Sequence, residues 1–469
     1  MDENTRPDTW RHMIVAASFS TLLFCSSTMY SNGVFLVAFK DTGLYDVTTL
    51  SWLMAFSNTM HAVGGPVSSL LITLTSCRVA IVIAGIFTFV GFILGSLSSD
   101  VRILFIAYGL LIGIGRGTSF ATTNVNIGYW FREDSSIASG LTTAGVGVGM
   151  LIHPRLVQAF IDWYGIHGAQ LMMGAVSFHT CICGLLLRPS SFEKGRHNRS
   201  AEETPLQVSV PCAERMTDAI AQMKPIWTNG PFLLFMTGVC LFNTSFLVIS
   251  TFIPDYFNLR GSTHQESAMA ASIIGCGGLL SRVLAGVMTN DPNIGTMLLL
   301  SSNCGISGIL TLLLPLLAGS EAGRYIYSFC IGTYLTCIYV VLGPTTLQKV
   351  GLQHLAYGFG FMFLNTGIGN LIGPPIAAYI RYRTNSYYAL FVFTACLLLA
   401  ASCCGFLSEI VTNNDVKDAI LAQDTLLTID PIEQIRMSES AETDPGMFSA
   451  SEAQHEQSSE IMNTFTVTI

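Results

Sequence analysis

Apolar stretches of about twenty residues recur from Met13 to Ile410, each long enough to cross a roughly 30 Å hydrocarbon core as an α-helix. No ordinary soluble domain carries such a series. Lipid is therefore the solvent the chain is built for, consistent with a sequence in which 51% of 469 residues are hydrophobic and only 11% are charged. The runs are continuously apolar instead of alternating, which selects helices over barrel strands. Twelve spans are expected, near 13–39, 50–74, 79–98, 103–128, 137–160, 168–187, 232–254, 267–288, 294–318, 325–348, 355–380 and 386–408. The first run follows Arg6 and Arg11, is too long for a cleavable leader and lacks a small-residue cleavage pattern, so it is expected to stay as a span.

The longest interruption carries Lys194, Arg196, Arg199, Arg215 and Lys224, and the positive-inside rule puts it in the cytoplasm. Six spans on each side then bring both termini to the same compartment. The expected organisation is a cytoplasmic N-terminus (1–12), an N-terminal six-helix bundle (13–188), a cytoplasmic linker (189–230), a C-terminal six-helix bundle (231–410) and a disordered acidic cytoplasmic tail (411–469). Eleven acidic residues in the tail face only Lys417 and Arg436, so the formal charge of −8 belongs to the tail and implies no acidic function for the bundle.

An internal repeat is visible where the two halves should correspond. The octet Gly147, Val148, Gly149, Met150, Leu151, Ile152, His153, Pro154 in the fifth span matches Gly367, Ile368, Gly369, Asn370, Leu371, Ile372, Gly373, Pro374 in the eleventh. A parallel repeat about an axis along the membrane normal predicts this pairing. Thirteen cysteines lie mostly within spans, without the paired spacing of a disulfide framework or zinc site, and read as small apolar fillers.

The chemistry lies in ionisable residues at membrane depth. Arg116 falls in the fourth span, Arg155 in the fifth and Arg282 in the eighth, with His61, His153 and His179 elsewhere, yet no Asp or Glu lies well inside any span. A central arginine costs roughly 2.5–3.5 kcal/mol on insertion scales and must face a polar cavity or a partner. Without a buried carboxylate, a substrate anion is one natural partner, and helix-end carbonyls are the other. Arg282 sits among Gly275, Gly278 and Gly286, which lets neighbouring backbones approach. Arg116 shares a helix face with Phe120 and Asn124, either as a polar stripe toward a cavity or as a brace. Arg155 follows Pro154 near a helix end, where it can snorkel to the interface. His61 is near the position that half-repeat symmetry equates with Arg282, and a packed core histidine is the competing reading. Asn32, Asn124, Asn243 and Asn365 fall in helices that border the centre of a six-plus-six bundle, and serve either a substrate or helix association. Phe242 and Phe363 would add apolar wall for an organic group. No nucleophile and base constellation, cofactor fingerprint or metal-ligand spacing points to an enzyme.

Several motifs resemble the monocarboxylate transporter family. They are Tyr129, Trp130, Phe131, Arg132 followed by Ala138, Ser139, Gly140, Leu141, Ala144, Gly145; Gly64, Gly65, Pro66; Leu187, Arg188, Pro189; Arg282; and Gly373, Pro374, Pro375. The resemblance spans nearly all of residues 7–408 and implies the major facilitator fold: an all-α membrane protein of twelve transmembrane helices in two pseudo-symmetric six-helix bundles, working by alternating access. Departures carry information. Only Asp8 and Trp10 remain of the first-helix signature, Gly33 stands where proton-coupled members have a lysine, and Gly278 stands where they have an aspartate. Asp134 and Ser135 replace the usual basic pair, and Arg116 occupies a position more often apolar.

Residues and resemblance together imply a secondary-active or facilitative carrier of monocarboxylate-like organic anions, with Arg282 gripping the carboxylate and proton coupling weak or absent. Carriage of aromatic or amino-acid-like carboxylates is one alternative. A non-transporting sensor or scaffold is another, its C-terminal Val467, Thr468, Ile469 offering a docking signal. The expected surroundings are the lipid bilayer of the plasma membrane, a small organic anion and, as in some family members, a single-span glycoprotein partner. No nucleic acid, cofactor or metal is expected.

Overall fold

The computed structural model describes residues 10–195, 224–289 and 294–428, which are almost wholly helical. Twelve helices follow in chain order among the described residues. In the first half these are α1 (Trp10–Cys25 and Ser27–Asp41, joined by a turn at Ser26), α2 (Val47–Leu74), α3 (Cys77–Leu97), α4 (Val101–Phe131), α5 (135–164) and α6 (166–186). In the second they are α7 (Gly230–Leu259), α8 (His264–Met288), α9 (Thr296–Leu317), α10 (321–350), α11 (352–384) and α12 (Tyr387–Thr428). The chain is one compact unit to Ser408, with a second unit beginning at Glu409.

Polar residues at the span boundaries set where helices begin. Asp100 accepts from the Arg102 amide (2.8 Å), Asn229 from Phe232 (2.9 Å) and Ser320 from Gly323 (3.1 Å), each satisfying an amide that the helix leaves open. Thr263 and Glu266 form a reciprocal capping box on α8. Two connections are shorter than the apolar pattern suggested: α5 meets α6 at Gly165 (φ 68°, ψ 179°), and α10 meets α11 at Gly351 (φ 71°, ψ 172°). Only glycine enters that region without strain, so one residue suffices to reverse the chain.

The outer surface is apolar. Ile86, Phe87, Val90, Ile309, Leu313 and Leu316 are exposed, and the aromatic residues Trp52, Trp163, Tyr164, Tyr382 and Tyr388 ring the ends of α2, α5, α11 and α12 remote from the 187–229 segment. An apolar belt edged with aromatic rings is the surface a bilayer requires. Buried positions are instead rich in hydroxyls, such as Ser18, Thr21, Thr122, Thr123, Ser307 and Thr345.

The halves meet through symmetric crossings of α5 with α8 and of α11 with α2. A Cβ on Gly140 would lie 2.7 Å from the Gly286 Cα, and one on Gly65 would lie 2.6 Å from the Gly360 oxygen. Such contact demands hydrogen side chains on both helices. Gly140 and Gly360, like Gly147 and Gly367 of the repeated octet, are separated by the same stretch of chain, so the sequence repeat is a packing repeat. Gly147 faces Leu279 and Arg282, while Gly367 faces Ala62 and Thr59. Two further bonds cross between halves toward the 187–229 side, Ser69 Oγ to the Ala356 oxygen (2.6 Å) and Ser139 Oγ to the Val340 oxygen (2.9 Å).

On that same side, the family-like motifs form one cluster. The Arg188 guanidinium lies 3.7 Å from the Trp10 ring centre, Trp130 Nε1 donates to the Arg188 oxygen (3.2 Å), and Arg11 lies 3.8 Å from Asp134. The first seven residues of the expected linker join this cluster. Buried Glu193 accepts from the amides of Cys77 and Ser190 (2.9 Å each), capping α3 and the short turn that follows α6. At the other end of the chain, residues 411–428 are helical and not the disordered segment expected: they contain neither glycine nor proline to stop α12. The rest of the tail, including Val467 to Ile469, lies outside the described residues.

Glu193→Ala leaves two buried amides unanswered and should cost about 1–3 kcal/mol. Thermal unfolding of the purified protein in detergent should show a clear loss, with Glu193→Gln intermediate; an unchanged transition would remove Glu193 from the account of stability.

Candidate functional site

A cavity lies where α1, α2, α4 and α5 of one half face α7, α8, α10 and α11 of the other. About 60 Å³ is open to the centres of water-sized groups, well above the ~10–15 Å³ that one water occupies. Both arginines of interest reach it although they are nearly inaccessible, Arg116 at 1% and Arg282 at 2% relative exposure.

Arg282 comes from the middle of α8. Its Nη1 donates to the Gly278 oxygen one turn back (3.3 Å), and its Nε has no hydrogen-bond partner among the described residues. Ion pairs between described residues are confined to Arg11–Asp134 and Arg324–Glu266, both at helix ends, so none reaches Arg282. Nearby, Tyr339 of α10 donates its hydroxyl to Asn243 Oδ1 (3.1 Å), and Asn243 Nδ2 donates to the Val239 oxygen (2.8 Å). Asn370 also lines the cavity, and its Oδ1 is buried without a partner among the described residues.

Across the cavity, α4 carries Arg116 just beyond a π-helical stretch, Phe105–Leu111, whose wider turn alters which face the following residues present. Arg116 Nε donates to His61 Nδ1 (3.3 Å) and Nη2 donates to Asn58 Oδ1 (3.2 Å). Aromatic rings complete the wall. Phe120 stacks on Phe363 with centroids 5.2 Å apart, and Phe363 meets the edge of His61 at 5.0 Å. Phe246 and Tyr339 form a second, edge-on pair at 5.5 Å.

The structure thus brings together Arg282, Arg116, His61, Asn243 and Phe363. Three other candidates point elsewhere. Asn124 Nδ2 donates to the Phe120 oxygen of its own helix (2.9 Å), Asn365 Nδ2 ties α11 to the Met236 oxygen of α7 (2.5 Å), and Phe242 is packed in the core against Tyr339. In each case a backbone carbonyl or ring closer than the cavity takes the side chain. Asn32 belongs to α1, but its side chain lies outside the described residues. Of the weaker candidates, Arg155 is exposed on α5, His153 is buried near Gly149, and His179 bonds to the backbone of its own helix.

Cys25, Ser26, Thr143, Val146, Phe246, Tyr339, Thr366 and Asn370 line the cavity without having been singled out. Two signals were available. Phe246 follows Asn243 by one helical turn, and Asn370 is the polar member of the repeated octet, opposite Met150. Cys25 and Ser26 mark the turn within α1, for which the sequence carries no glycine or proline signal.

A twelve-helix bundle with a polar cavity between two related halves is the architecture of a membrane transporter. The family model described as Major Facilitator Superfamily matches residues 17–374, and the chain belongs to that superfamily. Its relatives include Monocarboxylate transporter 13 of Bos taurus, 28% identical over 396 residues that cover 84% of this chain and 88% of the relative. Monocarboxylate transporter 12 of Mus musculus is 24% identical over 412 residues (84% of each chain), and Monocarboxylate transporter 14 of Homo sapiens is 25% identical over 455 residues (83% and 88%). Among solved structures, the E. coli fucose:proton symporter FucP superposes with a TM-score of 0.68 at 13% identity, covering 84% of this chain and 98% of that one. An outward conformation of FucP gives 0.67 at 12% identity, with the same coverage. The resemblance first carried by short motifs therefore extends over most of the chain.

Asn365→Ala removes a bond between helices but nothing from the cavity. It should lower stability by about 0.5–1.5 kcal/mol, read as a lower unfolding temperature, while ligand affinity stays within about twofold of the parent. A selective loss of affinity would place Asn365 in the site after all.

Proposed function

We propose that this transporter carries small monocarboxylate-like organic anions by alternating access, with Arg282 gripping the carboxylate and with little or no obligatory proton coupling. The observation that carries the reading is the state of Arg282: buried at membrane depth, lining the cavity, and engaged by one backbone carbonyl while its Nε has no hydrogen-bond partner among the described residues. A guanidinium held this way gains most from an arriving carboxylate, which accepts two charge-assisted hydrogen bonds from its planar fork. The names of the relatives support the same substrate class. Gly278 and the absence of any acidic residue well inside the spans support transport without an obligatory proton, because no carboxylate stands one turn from Arg282 to take one up.

The rings of Phe120, Phe246, Tyr339 and Phe363 favour a second reading within this class, an aromatic or amino-acid-like carboxylate. Arg78, Arg132, Arg188 and Lys194 gather on the side of the 187–229 segment, which supports placing that side and both termini in the cytoplasm of a plasma-membrane protein.

In proteoliposomes, uptake of labelled monocarboxylates should be lost in Arg282→Ala and largely lost in Arg282→Lys, whose ammonium cannot reproduce the fork. Normal uptake by either variant would refute the clamp, and a steep rise with an inward proton gradient in the parent would refute uncoupled transport. Gly278→Asp is the converse experiment. It installs a carboxylate at (i, i+4) spacing to Arg282, against Thr336, whose Oγ1 would lie 2.9 Å from the new Cβ. The expected outcome is about tenfold weaker uptake at neutral pH, recovering as acid protonates the new group, measured as the ratio of initial rates at two external pH values.

A further inference from the structure

Arg116 is not needed to grip a single carboxylate, yet it is built into the same cavity with a supporting pair of its own. Its Nε donates to His61 Nδ1 and its Nη2 to Asn58 Oδ1. Both acceptors are neutral: a ring nitrogen that accepts an N–H carries no proton, so His61 holds its hydrogen on Nε2. The contacts orient the guanidinium without cancelling its charge. No aspartate or glutamate lies well inside any span to do so.

The cavity consequently has a fixed positive charge on each wall, Arg116 from the first half and Arg282 from the second. Arg282 and His61 occupy equivalent places in the two halves, since Gly286 and Gly65, each four residues further on, make the equivalent helix crossings. The Arg116–His61 pair is therefore set where repeat symmetry puts it opposite the Arg282 clamp. A monoanion answers one charge and leaves the other desolvated when the halves close, which is costly in a low-dielectric space.

We infer that the preferred cargo is a short-chain organic dianion that bridges the halves, with one anionic group on Arg282 and the second on Arg116. This rests on the organic-anion reading and narrows it, making Arg116 the residue that determines specificity. The stacked Phe120 and Phe363 rings beside His61 supply apolar wall for a short carbon spacer.

The test compares succinate with butyrate, two four-carbon acids that differ by one carboxylate, in proteoliposomes containing the full chain. The parent should take up succinate with a KM at least tenfold below that of butyrate. Arg116→Gln should bring the ratio close to one, chiefly by raising the succinate KM, while Arg282→Gln should lose uptake of both acids. If Arg116→Gln fails to fold, Asn58→Ala and His61→Gln, which loosen the arginine, should narrow the ratio in the same direction. A parent that prefers butyrate, an equal loss of both acids on changing Arg116, or a ratio unmoved by all the variants would overturn the inference. Uptake of neither acid above that of empty vesicles would instead overturn the organic-anion reading on which it rests.

Discussion

A guanidinium cannot shed its proton, so placing one at membrane depth obliges the surrounding protein to provide either a counter-charge or a place where one can arrive. Here α8 provides Gly278 where a carboxylate could have stood, and the Arg282 side chain is left with a single backbone acceptor and an open edge toward the cavity. The small volume, the aromatic wall and the neutral amides of Asn243 and Asn370 are all compatible with a visitor that is anionic and compact. Acidic side chains remain where they do ordinary structural work: Glu193 caps α3, Glu266 closes a capping box, and Asp100 starts α4.

The second constraint is mechanical. Two halves that rock about a central site must touch closely without being fused. The crossings Gly140–Gly286 and Gly65–Gly360 give backbone contact with no interlocking side chains, on both sides of the pseudo-symmetry axis. Cross-half bonds from Ser69 and Ser139 lie toward the 187–229 side, where the Trp10, Arg188 and Glu193 cluster also gathers. Motifs that looked in the sequence like signatures of chemistry are thus largely signatures of closure, and the cavity itself is lined by less conspicuous residues.

Much of the architecture was legible because hydrophobic run length reports bilayer crossing directly, and because the octets at 147–154 and 367–374 lie on helices that play the same packing role. Arg282 was legible for the same reason: an arginine inside an apolar run is too costly to be incidental. Asn124 and Asn365 were harder to read. An asparagine in a helix has its own or a neighbouring carbonyl within reach, and only the rotamer and the neighbour decide whether it faces a cavity. Tyr339 and Phe246 were hidden for the opposite reason, as aromatic residues in apolar spans look alike whether they face lipid, core or substrate.

By itself, the sequence determined that this chain lives in lipid, that its two halves repeat, and that permanent positive charge sits within spans containing no acid, since composition and spacing carry those facts without coordinates. Tertiary structure decided which polar groups share one cavity. Arg116 meets His61 and Asn58 only because α4 crosses α2, and it shares a cavity with Arg282 only because α8 belongs to the opposite half. Such neighbours are separated by tens to hundreds of residues, and their meeting depends on helix rotation, which a π-helical turn or a single glycine can alter without changing the hydrophobic pattern.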